Sequence, residues 1–377
     1  MPAALPPGSV LLHIGPHKTG TTTLQGAFHV NRQALDDLGV HYAGRDRQPM
    51  LAALAMSGRP GRRGDAQPTQ EHWAALVDDV QGAVSPRVVV SSEFFADASE
   101  ETAADIVRDL GGDRVHVVVT LRSLARIMPS QWQQYVQNGV RRPYGEWLER
   151  ILADPPLDPR PRFWFRHAHG ELVERWTRIV GPDNVTVIVL DESDRGMLLR
   201  AFEALLDLPT GTLVPEADMV NRSLTAGEIE VVRLLNEEFR HREWDDDLYG
   251  RFVRDGVAKR LLAEHVPGDD EAPITTPRWA LERAGVLGGL AADQIRRAGV
   301  RVVGDLATLS AVPPVKDDEA PATADPLVPA SAAASAIVGA ILAGRKTPPK
   351  PVESLPEAVV APVVTARRLW RRRSRRG

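Results

Sequence analysis

The 377-residue chain contains no cysteine. That excludes disulfides, thiolate metal sites and thiol nucleophiles, and it leaves the redox compartment open. Long hydrophobic runs are missing too. The longest uncharged stretch, Pro326–Gly344, is 19 residues rich in Ala and Ser with two prolines, barely long enough and too weakly apolar to span a bilayer. Met1–Ser9 has no Lys or Arg, and Val10-Leu11-Leu12 is too short for a signal core, so a cytoplasmic protein is expected. No internal repeat is present. Nor is there a large excess of one charge: 46 Lys and Arg stand against 50 Asp and Glu. The distribution is uneven, however. Residues 311–377 carry 11 basic and 6 acidic side chains, which leaves residues 1–310 at about −9. So acidic a body is not built for sequence-independent nucleic-acid binding, which depends on neutralising phosphates.

What is there fits an ordinary globular chain, with 43% hydrophobic and 25% charged residues. At ~150 residues per domain the length suggests two domains, or one large domain with appendages. Val10–Ile14, Val40–Ala43, Arg87–Ser91, Val115–Leu121 and Val185–Leu190 are short Val/Ile/Leu runs, as strands buried on both faces should be. Helical patterns over Thr22–Leu38, Leu124–Asn138, Glu171–Val180 and Arg195–Leu206 alternate with them. The expectation is an α/β fold of three layers with a central parallel sheet over residues 9–221. Residues 222–310 read as a helical C-terminal region. Arg45–Thr69 reads as a surface loop with one short helix near Leu51–Met56. Residues 311–377 hold ten Pro and 14 Ala, with Trp370 the sole aromatic, and read as a disordered tail. It ends in seven Arg between Arg367 and Arg376. These are either a solvated tail or a peripheral tether to anionic lipid, at the inner membrane face, or to an acidic partner.

The most informative stretch is Gly15-Pro16-His17-Lys18-Thr19-Gly20-Thr21-Thr22-Thr23. A buried strand ends at Gly15 and a helix opens near Thr21. Successive backbone N–H groups, the positive end of the helix dipole, Lys18 and the hydroxyls of Thr19, Thr21, Thr22 and Thr23 make an anion site. A nucleoside-triphosphate loop reads GxxxxGK[ST], with Lys after the second glycine. Here Lys18 precedes Gly20, and Val115–Leu121 runs into Arg122 where a Mg²⁺-binding Asp would stand. The loop reads as built for phosphate, and no catalytic metal is expected.

A second constellation lies about 100 residues on. Arg122 ends a strand, where ligands bind in open α/β sheets, and Ser130 follows eight residues later on a helix. A guanidinium fork with a hydroxyl suits a terminal phosphate. Together these motifs resemble the sulfotransferases that use 3′-phosphoadenosine 5′-phosphosulfate (PAPS), a family with a P-loop-kinase-like fold. The likeness covers roughly residues 9–240 and extends to the turn Gly181-Pro182-Asp183-Asn184 before a late strand. Ser123-Leu124 depart from the Asp-Pro the family often has after its Arg.

The resemblance implies that Gly15, Lys18, Thr19, Gly20, Thr21 and Thr22 hold the 5′-phosphosulfate and that Arg122 and Ser130 hold the 3′-phosphate. It also implies that a late basic loop, for which Arg222 is the candidate, covers the cofactor. Arg222 could equally belong to a cap for a helix beginning at Thr225. Lys18 would neutralise charge on the leaving oxygen. Glu93, delivered to the same edge by Arg87–Ser91 and flanked by Phe94 and Phe95, is the candidate base, matching a Glu found in several carbohydrate sulfotransferases; capping the next helix or pairing with a cation is its other reading. His17 is a further candidate for contact with phosphate or acceptor, or else a solvent-exposed loop residue. His13 and His116 read as core histidines, and His167 and His169 as unsupported by further metal ligands. The acceptor would be a small molecule, glycan or glycolipid, with walls from Arg45–Thr69 and from Val140–His169. An ATP-dependent small-molecule kinase with an atypical P-loop and a non-catalytic anion-binding module are the other readings.

Overall fold

The computed structural model describes residues 2–61, 66–154, 157, 162–216, 222–269, 271–314 and 328–345. The apolar runs form strands β1 (Val10–His13), β2 (Val40–Tyr42), β3 (Arg87–Ser91), β4 (Val115–Leu121) and β5 (Val185–Val189), and Arg301–Val303 adds β6. All pairings are parallel, in the order β2-β3-β1-β4-β5-β6. β1 lies between β3 and β4, with Leu12 level with Val90 and Val117. The carboxyl ends of β3, β1 and β4 therefore share one edge.

The helices, in chain order, begin with α1 (Thr21–Val30), α2 (Arg32–Asp37), α3 (Met50–Met56), α4 (Gln70–Gly82) and α5 (Glu100–Leu110). Next come α6 (Leu124–Gln137), α7 (Tyr144–Leu152), α8 (Arg162–His167), α9 (His169–Val180) and α10 (Met197–Leu206). The last are α11 (Ala226–His241), α12 (Asp246–Leu248), α13 (Lys259–Glu264), α14 (Arg278–Ala298) and α15 (Ala330–Arg345), with a π-helical stretch over Tyr249–Ala258.

Side chains alternate along a strand, so each strand feeds two cores. Leu11, Val89, Val118 and Ile188 point to one face and pack with Leu24 and Phe28 of α1, Leu35 of α2 and Phe202 of α10. Leu12, Val90, Val117 and Val187 point to the other and pack with Trp73 of α4, Ile106 of α5, Trp176 of α9 and Ile295 of α14. This is the expected three-layer α/β architecture. A third core, built from α6, α7, α11, the π-helical stretch and α13, holds Trp132, Tyr144, Trp147, Val232 and Leu261.

Two expectations change. Residues 301–303, read as part of a helical region, pair with β5 and extend the sheet. Three residues give no periodicity to detect. Residues 330–345, read as disordered tail, form α15, which buries Ala332 and Ala336 in the third core. Small apolar residues with no charged face gave no amphipathic signal. Met1–Ala343 make up one compact unit; of a second, beginning at Gly344, only Gly344 and Arg345 are described. The Arg-rich segment 367–376 lies outside the described residues. Among the described residues, no helix is long and apolar enough to cross a membrane.

Candidate active site at the sheet edge

The loop between β1 and α1 is stitched into the sheet edge. Thr120 N–H donates to the Gly15 carbonyl at 2.8 Å, and Ser92 N–H to the His13 carbonyl at 3.0 Å. Gly15 has φ 77°, and a Cβ there would lie 2.8 Å from Glu93 Cβ. The glycine thus allows the β3 end and the loop to touch, which brings Glu93 to the loop. Gly20, at φ 79°, caps α1 without any side-chain hydrogen bond. The first intrahelical bond is Leu24 N–H to the Gly20 carbonyl, so the N–H groups of Thr21, Thr22 and Thr23 have no partner within the helix. Lys18 also lies in the left-handed region, at φ 67°.

Beneath the loop runs a buried polar chain. His13 bonds Ser91 Oγ through Nδ1 at 2.8 Å and Thr120 Oγ1 through Nε2 at 3.1 Å. Thr19 is fully buried, and its hydroxyl donates to the Pro16 carbonyl at 2.6 Å and meets Thr120 Oγ1 at 2.7 Å. Its hydroxyl is therefore committed inward, and only its backbone N–H remains for an anion. Thr22 is exposed, and Thr21 is buried.

Lys18 Nζ donates to Gln134 Oε1 of α6 at 3.1 Å. Burial lowers its pKa and nearby Arg122 adds to that, while Glu93 opposes it. Both charges thus act on Lys18. Glu93 is half-buried and accepts hydrogen bonds from Gln25 Nε2 of α1 (2.9 Å, to Oε2) and Gln48 Nε2 (3.4 Å, to Oε1). Of the two phenylalanines beside it in sequence, Phe95 packs edge to face with Trp73 and Phe94 with the His17 ring. His17 has a buried Nε2 without a hydrogen-bond partner. Burial holds its pKa well below the ordinary imidazole value, and Arg166, His167, Lys18 and Arg59 push the same way. His17 is neutral at pH 7.

At the end of β4, Arg122 presents its guanidinium as a fork to Glu192, with bonds of 2.5 and 2.8 Å. A carboxylate stands where an anionic ligand would compete. The Ser130 hydroxyl donates to the Ile127 carbonyl at 3.0 Å, one turn back on α6. Arg222 is not brought to the loop as a free cation. It pairs with Glu228 at 2.7 and 2.8 Å and donates to the carbonyls of Leu261 and Leu262. Thr225 and Glu228 form a reciprocal cap for α11, so the capping role is the realised one. Even so, Leu224 N–H donates to Gln133, the residue before Gln134, which lays this segment along α6.

No protein-family model matches the chain, and no curated protein sequence does either. Among solved structures, the crystal structure of a sulfotransferase from Alicyclobacillus acidocaldarius is similar at 16% identity and a TM-score of 0.39, covering 63% of this chain and 97% of that one.

Several site residues have no signature in the sequence. Gln25, Gln48 and Gln134 hold Glu93 and Lys18, yet isolated glutamines carry no motif. Arg166 grips Asp97 with two bonds, 2.6 and 2.7 Å, and Arg59 joins the same carboxylate. Asp97 follows Glu93 by four residues, so this cluster sits on the segment that carries Glu93. Aromatics expected as substrate walls are mostly structural: Tyr144, Trp147 and Phe163 lie in the third core, while Phe165 stacks under Arg175. His13 and His116 are satisfied core histidines, the latter bonded to Thr186. His167 and His169 gain no third metal ligand among the described residues. They line a cavity of about 810 Å³ between α7, α8, α9 and α14, which neither Lys18, Glu93 nor Arg122 reaches.

Proposed function

We propose that this chain is a sulfotransferase that moves a sulfuryl group from PAPS to a hydroxyl or amine of a small-molecule, glycan or glycolipid acceptor. The observation that carries this reading is the meeting of Lys18, Glu93 and Arg122 at one sheet edge, around an anion loop whose helix has no side-chain cap. The residues fit the donor. The glycine cradle at Gly15 and Gly20, Lys18 and the first-turn N–H groups of α1 would hold the 5′-phosphosulfate, and Arg122 with Ser130 the 3′-phosphate. When bound, PAPS supplies the sulfuryl group and departs as the bisphosphate.

The protein's own part is positioning and proton handling. Glu93 accepts the acceptor's proton at a carboxylate oxygen. The amides of Gln25 and Gln48 fix both of its oxygens and so orient it. Lys18 brings positive charge to the loop. His17, neutral at working pH, offers a hydrogen bond rather than a charge.

The test is calorimetric titration of the full chain with 3′-phosphoadenosine 5′-phosphate, beside ATP with and without Mg²⁺. Micromolar binding of the bisphosphate that is indifferent to Mg²⁺ supports the proposal. Arg122→Ala should weaken it ~10–100-fold, the worth of a charged hydrogen-bonded pair, and Glu192→Gln should tighten it by freeing the fork. Lys18→Ala should lower turnover more than affinity. Tight Mg²⁺-dependent ATP binding with no response to the bisphosphate would overturn the proposal in favour of a kinase.

A further inference from the structure

Outside the candidate site, a hydroxyl, an imidazole and a carboxylate line up where α11, α13 and α15 meet. Helix α15 packs closely because its inward residues are small. Ala332 and Ala336 are buried in the third core, and a Cβ at Gly339 would lie 2.7 Å from the Gly256 carbonyl oxygen. Arg251 Nε ties the crossing by donating to the Ala343 carbonyl at 2.8 Å. This docking sets Ser331, in the first turn of α15, against His265, the residue that follows α13. His265 Nε2 lies 3.2 Å from Ser331 Oγ, and its Nδ1 lies 2.7 Å from Glu228 Oε1 of α11. His265 and Glu228 are buried, whereas Ser331 is exposed.

The roles follow from what each group can do. A carboxylate only accepts, so Glu228 sets the proton of the neutral ring on Nδ1 and leaves Nε2 to accept from the Ser331 hydroxyl. Glu228 is itself held in place. Arg222 donates to both its oxygens at 2.7 and 2.8 Å, and Thr225 N–H donates to Oε2 at 2.8 Å. Glu271 Oε1 stands 3.4 Å from Nε2, too long for a good hydrogen bond, yet near enough to favour a ring that has gained a proton. Ser331 also sits at the positive end of a sixteen-residue helix. The first bond of that helix runs from Ala333 N–H to the Pro329 carbonyl at 3.0 Å, so the N–H groups of Ser331 and Ala332 have no partner within it. An oxygen that gains negative charge beside Ser331 has donors at hand. An exposed hydroxyl, a base within hydrogen-bond reach and a carboxylate that orients the base are the parts of an activated nucleophile.

We propose that Ser331, His265 and Glu228 form a second reactive centre, a serine nucleophile that takes acyl groups from small carboxylic esters. Val328, 38% exposed, lies three residues before Ser331, and Val266, 85% exposed, follows His265; both suit a short aliphatic acyl group. Ser331 Oγ bonds to the carbonyl carbon while its proton passes to His265 Nε2, and the carbonyl electron pair moves onto oxygen. When the tetrahedral adduct collapses, the bond from carbon to the alcohol oxygen breaks, and the alcohol leaves with that proton. Water, giving its proton to the same Nε2, then attacks the acyl-serine, releases the carboxylic acid and restores the hydroxyl. None of this rests on the proposed sulfuryl transfer.

The test uses the full chain with p-nitrophenyl acetate and with a fluorophosphonate probe. Ester hydrolysis with a stoichiometric burst of p-nitrophenol is expected, together with a fluorophosphonate adduct that peptide mass spectrometry places on Ser331. Ser331→Ala should remove both while the melting temperature stays close to the parent's, since the side chain is exposed. His265→Gln should slow hydrolysis about 100-fold or more. That change also removes a buried partner of Glu228, so a second variant reads the base directly. Because the chain has no cysteine, Ser331→Cys supplies a unique thiol. Its alkylation by iodoacetamide at neutral pH should run about ten-fold or more faster than that of free cysteine, because the imidazole draws off its proton. Three outcomes overturn the proposal. The parent could give no adduct on Ser331. Hydrolysis could persist unchanged in Ser331→Ala. Or the thiol at position 331 could react no faster than free cysteine, which would leave the serine as a structural contact of His265.

Discussion

His13, His116 and His169 are interior imidazoles, and burial lowers their pKa values to about 3, 4 and 4. His17 and His167 are pushed down as well, first by burial and then by neighbouring cations and imidazoles. In the unfolded chain these rings take up a proton near the ordinary value of about 6.5. Between that pH and about 4 the unfolded state therefore binds more protons than the folded state, so stability falls as pH falls. The contribution is complete above about 6.5 and is lost below it, at up to about 1.4 kcal/mol per pH unit for each ring. Carboxylates held low by hydrogen bonds, such as Asp191 and Asp194, act only below the ordinary carboxylate range, which separates the two effects. The urea midpoint should be level from pH 8 to 7 and drop steeply from about 6.5 to 4.5, with a shallower drop in His116→Gln. A midpoint unchanged between about pH 7 and 5 would contradict the neutral interior. At this scale the turn between β1 and α1 was legible, because Gly15, Lys18 and Gly20 are neighbours in sequence and all three take positive φ in one local turn. Gln25, Gln48 and Arg166 were not. They reach Glu93 and Asp97 only through tertiary placement, and an amide or guanidinium has no sequence signature of its own.

The elements divide in the same way. β3, β4 and β5 stood out as unbroken apolar runs because both of their faces are covered, and α1 followed from the loop that starts it. β6 is too short to show a period, and α15 hides its helical character in alanine and serine. Helix α14 raises a separate question, since it carries Gly285, Gly288 and Gly289 in its middle, where glycine costs about 1 kcal/mol relative to alanine. The structure separates two of these. A Cβ on Gly288 would collide with the Leu309 carbonyl, which is backbone and cannot swing away, whereas one on Gly289 would touch only Ser310 Cβ at 3.9 Å. Gly288 is thus the contact that lets the segment after β6 lie on α14. Gly289→Ala should stabilise by up to about 1 kcal/mol through helix propensity. Gly288→Ala should destabilise by about 1–3 kcal/mol of overpacking despite the same propensity gain. Thermal or urea unfolding of the pair measures both, and equal shifts of the same sign would show that the close approach is not what keeps glycine at 288.

For the molecule as a whole, the decisive feature is that α14 belongs to two cores at once. Ala280, Leu281 and Ala284 in its first half pack with the helical core around Trp132 and Leu261, while Ala292 and Ile295 in its second half pack under the sheet with Trp176. Its 21 residues, ~31 Å long, join regions that the sequence alone divides near residue 221. After it the chain runs into β6, which hydrogen-bonds to β5 and so commits the helical region to the sheet it follows. α6 contributes from the other side. It begins at the β4 edge beside Arg122, carries Gln134 to Lys18, and buries Ile127, Met128 and Trp132 among the helices. The candidate site therefore lies where the two cores meet, and loosening either should disturb the geometry that holds Lys18. This predicts cooperative unfolding. Tryptophan fluorescence, reporting Trp132 and Trp147 in the helical core as well as Trp73 and Trp176 beneath the sheet, should lose its signal at the same urea concentration as far-UV circular dichroism. Two separated transitions, with the helical region unfolding first and the sheet persisting, would mean that α14 and β6 do not couple them, and that the division near residue 221 is a real domain boundary.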